Sequence, residues 1–98
     1  MIEAAGVARI AEEVARKQLG AGNVVRVITE QMVDWTGADA WRVLIVLAPD
    51  AVERITGDAA LDNLVGLQKR IQGAGDDRFA FVEYATEEEL AEGDDPGY

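Results

Sequence analysis

The sequence predicts an α+β fold: a two-layer sandwich with a small three-stranded sheet packed against two main helices, in the order αββα(α)βα. Three observations predict it. Apolar residues recur at helical spacing in two segments, three runs are rich in β-branched or aromatic residues, and clusters of Gly, Asp, Asn or Pro stand between them. Each helix has one apolar stripe and needs one apolar sheet face, so placing both helices on the same sheet is the economical arrangement.

In the first helix, expected over residues 2–19, Val7, Ile10, Ala11 and Val14 fall on one stripe. Glu12 precedes Arg16, and Glu13 precedes Lys17, by the one-turn spacing that weakly supports a helix. Gly20, Gly22 and Asn23 then end it, because they tolerate the left-handed backbone common at helix C-termini.

Residues 24–33 (VVRVITEQMV) and 41–48 (WRVLIVLA) read as two strands of a hairpin. Asp34, Thr36, Gly37 and Asp39 between them are turn-formers. Trp35 and Trp41 flank that turn and are expected to face one another across it, as aromatic cross-strand pairs do.

Pro49 closes the second strand, and Asp50 with Glu53 has the spacing of a capping box for a short helical turn through Ile55. The second main helix is expected over residues 59–72. Its stripe is read as Leu61, Leu64, Val65, Gln68 and Ile71, widened by Ala60 and Leu67. Gly73 and Gly75 stop it, and residues 78–85 (RFAFVEYA) suit a third strand, with Phe79 and Phe81 on one side and Ala80, Val82 and Tyr84 on the other. Thr86 and Glu89 form a second capping box opening a short acidic helix to about Glu92. Residues 1–92 thus make a single α+β domain, and residues 93–98 are expected to be a flexible acidic C-terminal tail.

Nineteen Asp and Glu against nine Lys and Arg give a net charge of -10, which repels phosphate backbones and anionic membranes. Direct nucleic-acid binding and membrane association are therefore not expected. The chain has no Cys and no His. Disulfides, thiolate nucleophiles and cysteine metal sites are excluded, and the usual proton shuttle near neutral pH is missing. No apolar run reaches the roughly 18 residues of a membrane span, and the opening residues do not resemble a signal peptide, so a cytoplasmic location is expected.

Asp34, Asp39 and Asp50 could gather near strand ends, but each also has a turn or cap role and no calcium-loop pattern is present. The glycines at 20–22 and 73–75 follow helices instead of opening them, which is wrong for holding phosphate. No metal and no cofactor are expected. The helix, strand, strand, helix, strand order is similar to that of type II K-homology RNA-binding domains. That family's RNA contact rests on a GXXG loop beside basic residues. The chain lacks the loop, and the adjacent basic residues Lys69 and Arg70 lie late in the second helix, so RNA binding is not implied.

The run VLIVL at residues 43–47 points apolar side chains to both sheet faces, whereas two helices cover only one. The C-terminal helix folding back, a second copy of the chain or a different protein could cover the other, and a homodimer or a protein partner is expected there. The expected function is that of a small acidic, non-catalytic interaction domain, such as an inhibitor, an antitoxin-like neutraliser or an accessory subunit, binding a basic or apolar partner surface. Trp35 and Trp41 are the expected anchors, and Glu87, Glu88 and Glu89 the steering charges. The alternative is a small-molecule-binding or enzymatic domain whose pocket lies between sheet and helices, lined by the same tryptophans.

Overall fold

The computed structural model describes residues 2–93. Of the tail expected at 93–98, Gly93 falls in the last helix and the rest lies outside the described residues. The fold is α+β, with the expected element order and helices packed on a three-stranded sheet.

Helix α1 (Ala4–Leu19) buries Val7, Ala11, Val14, Ala15 and Leu19. It stops at Gly20, whose φ of 101° is open to glycine and costly for any other residue. Asn23 Nδ2 donates to the otherwise unpaired Leu19 carbonyl at 2.7 Å. Strands β1 (Val24–Val33) and β2 (Asp39–Leu47) form the antiparallel hairpin, with Met32 opposite Ala40 and Gln31 opposite Trp41. The turn is an Asx turn: Asp34 Oδ1 accepts from Thr36 N at 2.8 Å, Thr36 Oγ1 at 2.6 Å and Ala38 N at 3.1 Å.

After β2 a 3₁₀ turn spans Ala51–Glu53. Asp50 does not cap it, contrary to the box expected there. Its carboxylate is taken instead by the Arg54 guanidinium, at 2.7 and 3.1 Å, and a charged bidentate partner outcompetes a single backbone N–H. Helix α2 (Gly57–Gly73) opens on Thr56, whose Oγ1 accepts from Ala59 N at 3.1 Å. The helix carries the chain back so that β3 (Phe79–Thr86) runs parallel to β2, giving a mixed sheet in the order β1-β2-β3. Where α2 crosses α1, a Cβ on Gly66 would stand 3.2 Å from Val14, so the missing side chain sets the helix separation.

Odd-numbered β2 residues face the helices. Trp41, Val43, Ile45 and Leu47 join Val7, Ala11, Leu67 and Ile71 in one core, where each fully buried aliphatic side chain contributes about 1.5–3 kcal/mol. The stripe of α2 differs from the sequence expectation. Its buried face is Asn63, Leu67 and Ile71, while Leu61 and Val65 are 57% and 44% exposed. A polar residue at 63 conceals the true stripe and lets the neighbouring apolar one look dominant.

Even-numbered β2 residues face away from the helices, and there the apolar run is less bare than expected. Ala40 and Val46 are buried and Leu44 is half-buried. Arg26, beside Val46 in register, reaches Glu87 at 2.7 Å, and Arg42 reaches Glu83 at 3.0 Å, so two ion pairs also stand on this face. Helix α3 (Glu87–Gly93) starts on the expected capping box: Thr86 Oγ1 accepts from Glu89 N at 3.2 Å, and Glu89 Oε1 accepts from Thr86 N at 3.3 Å. Among the described residues, no helix is long and apolar enough to cross a membrane.

Candidate interaction surface

The two tryptophans are not brought together. Trp41 is fully buried on the helix side of β2, and Trp35 stands at the hairpin tip, 92% exposed. The cross-strand pair expected between them is absent because Trp35 belongs to the Asx turn, while Trp41 is paired in register with Gln31. Trp41 therefore offers no surface, and Trp35 is the single exposed indole.

Trp41 instead belongs to a buried polar staple. Its Nε1 donates to Asp76 Oδ2 at 3.3 Å, and the Arg78 guanidinium lies 4.0 Å from its ring centre. Asp76 also accepts from Arg78 and from the backbone N–H groups of Arg78 and Ile2. Arg78 in turn donates to the Ile2 carbonyl at 3.0 Å. These bonds, above all that from the Arg78 guanidinium, hold the Asp76 carboxyl well below the usual carboxylate range despite its burial. The staple ties the N-terminal residues, β2 and the α2–β3 loop together. Its charges are mutually spent.

The three glutamates of the first turn of α3 have different fates. Glu87 is paired with Arg26 and Glu89 is occupied in the capping box, while Glu88 is exposed with no ion-pair partner among the described residues. Of the acids that could have gathered a metal, Asp34 is committed to its turn and Asp50 to Arg54. No group of three metal-ligating side chains occurs among the described residues.

Exposed apolar side chains stand on both sides of the β3 edge: Leu61, Val65 and Tyr84 on the α2 side, and on the helix-free side Phe79, which meets Phe81 edge to face with ring centres 4.7 Å apart. A groove of about 500 Å³ runs here, lined by Leu61, Leu64, Phe79, Phe81, Val82 and Tyr84. The outer edge of β3 forms its floor. Gln68 engages the start of that edge as a neighbouring strand would: its Oε1 accepts from Ala80 N and its Nε2 donates to the Arg78 carbonyl, both at 3.0 Å. The even-numbered backbone groups of β3 thus point away from β2. Beyond Gln68, the outward groups of Val82 and Tyr84 have no partner among the described residues.

A second cavity of about 320 Å³ sits at the C-terminal ends of β2 and β3, lined by Leu47, Ile55, Thr56, Ala60, Tyr84 and Glu89. Neither cavity is lined by a tryptophan, contrary to the pocket expected from sequence. Tyr84 borders both. Its hydroxyl accepts from the buried Asn63 Nδ2 at 3.0 Å, and burial raises its pKa. Neither Tyr84 nor the α2–β3 groove stands out from the sequence. The available signal was the run of apolar residues at 60, 61, 64, 65 and 67, too wide for one buried stripe.

Comparison with protein-family models, curated proteins and solved structures finds no match to the chain. The similarity in element order to K-homology domains gains no support from it.

Proposed function

We propose that the chain is a small acidic, non-catalytic interaction domain that binds another protein through the α2–β3 edge. The observation that carries this reading is a coincidence in space. A strand edge whose outward groups at Val82 and Tyr84 have no partner among the described residues lies beneath a helix whose second apolar stripe leaves Leu61 and Val65 exposed. The excess of carboxylates supports a basic partner: six basic side chains are ion-paired among the described residues, and the net charge is -10. Exposed Trp35, at the far end of the hairpin, is a secondary anchor.

The test is to purify the tagged protein from its own cells at low and at high salt. One stoichiometric protein partner, lost as salt rises, is the expected result. A lone monomer at both salt concentrations would overturn the reading.

Small-molecule binding is the second reading, supported by the 320 Å³ cavity at the carboxyl ends of two parallel strands, where α/β sheets bind ligands. A metabolite that raises the melting temperature of wild type but not of a Tyr84→Ala variant would favour it.

A further inference from the structure

Building on that interaction reading, we propose that β3 accepts an extended segment of the partner protein as a fourth strand, and that this segment alternates apolar with basic side chains. Strand addition needs three things: free backbone groups on an edge, pockets for every second side chain, and a reason for the remaining side chains to be there. Each has a counterpart in this fold. Backbone groups of Val82 and Tyr84 face outward, and Gln68 already satisfies Ala80 N and the Arg78 carbonyl by mimicking a strand partner. An added strand would send one set of side chains under α2, into the groove of about 500 Å³ between Leu61, Leu64 and Tyr84. That set must be apolar.

The other set would emerge on the helix-free face, beside Phe81 and Glu83. Acidic groups flank the whole edge: Asp77 precedes the strand, Glu83 lies in its middle and Glu88 follows it, and neither Asp77 nor Glu88 has an ion-pair partner among the described residues. Basic side chains are what this rim attracts.

The occupant is a partner segment and not a second copy of β3. With Ala80 N held by Gln68, antiparallel self-pairing that uses both outward residues must set Val82 against Tyr84 of the other copy. The symmetry axis then passes through Glu83, and two carboxylates on one face stand directly opposite each other, a destabilising pair. Two bodies of charge -10 add a repulsion at longer range.

The test uses ¹⁵N-labelled full-length protein titrated with the peptide Ac-KVKVKVK-amide, and with Ac-KKKKVVV-amide as a control of equal composition. The expected result is saturable movement and exchange protection of the Val82 and Tyr84 amides with the alternating peptide, at roughly tenfold higher affinity than for the block peptide. Val82→Pro removes the outward N–H while sparing the bonds to β2, and Leu61→Glu places charge in the groove at an exposed position; each should abolish the effect. If Val82→Pro does not fold, Leu61→Glu carries the test alone. Equal affinity for the two peptides, or no change at Val82 and Tyr84 at millimolar peptide, overturns the proposal. So does a dimer in sedimentation equilibrium that Leu61→Glu dissociates. A native partner that binds Val82→Pro unchanged but is lost with Leu61→Glu would leave the interaction reading standing and remove only strand addition as its mode.

Discussion

Arg78 rests its guanidinium 4.0 Å from the ring centre of Trp41 and with the same group binds Asp76, the carboxylate to which Trp41 donates. All three are substantially buried, so each depends on the other two for its solvation. Removing either charged member leaves the other uncompensated. Asp76→Ala is expected to cost about 3–5 kcal/mol, read from urea unfolding at neutral pH.

The same carboxylate predicts a pH dependence. Its pKa is depressed in the folded state by the Arg78 guanidinium, so the unfolded chain binds the proton more readily. The contribution is therefore complete above the unfolded pKa of about 4 and is lost progressively as the pH falls below about 5. Wild type should lose stability between pH 5 and pH 2 more steeply than Asp76→Asn, which has no proton to take up there. Parallel urea midpoints for the two proteins across that range would refute the assignment.

The two tryptophans predict a separation of signals. Trp35, 92% exposed, should be quenched by acrylamide in the folded protein, and Trp35→Ala should change stability by no more than about 0.5 kcal/mol. Trp41 should resist quenching, and Trp41→Ala should cost about 3–5 kcal/mol. A variant lacking Trp35 whose remaining emission is freely quenched would contradict the buried placement.

The contrast shows what the sequence could reveal. Patterns carried by neighbours in the chain were legible: the helix stop at Gly20, the turn at Asp34, the capping box of Thr86 and Glu89 and the alternation in β3 all formed as read. Features set by contacts across the fold were not. Whether Trp41 faces Trp35 or Asp76 depends on a partner 35 residues away. Asp50 kept its expected position but gave its carboxylate to Arg54 instead of the backbone. The apolar residues of 43–47 reached both faces as anticipated, but on the helix-free side Val46 is buried and Leu44 half-buried, and Leu61, Val65, Phe79 and Tyr84 are left exposed around the β3 edge. No local rule carries that information.

Helix α2 provides a direct comparison of its two apolar stripes. Leu67 is fully buried in the core and Leu61 is 57% exposed beside the groove. Leu67→Ala should cost about 2–5 kcal/mol, the usual range for a core truncation. Leu61→Ala should cost no more than about 0.5 kcal/mol, because little area is lost from the free protein. Chemical denaturation of the two variants checks this, and equal losses would mean that the Leu61 stripe is packed in solution.

Asn63 occupies the place in the buried stripe where an aliphatic residue belongs. Its Nδ2 donates to Tyr84, but its Oδ1 is buried without a partner among the described residues. An unsatisfied buried acceptor costs about 1–3 kcal/mol, more than the roughly 0.5–1.5 kcal/mol returned by one neutral hydrogen bond. Replacing both partners by apolar groups of similar shape removes the penalty and the bond together. Asn63→Leu combined with Tyr84→Phe is therefore expected to hold the unfolding free energy of wild type or raise it by about 1 kcal/mol. Asn63→Ala opens a cavity as well and should lower it. Should the double variant lose more than about 1 kcal/mol in urea, the Asn63 carbonyl must have a partner in solution, and the net cost assigned to it here would be wrong.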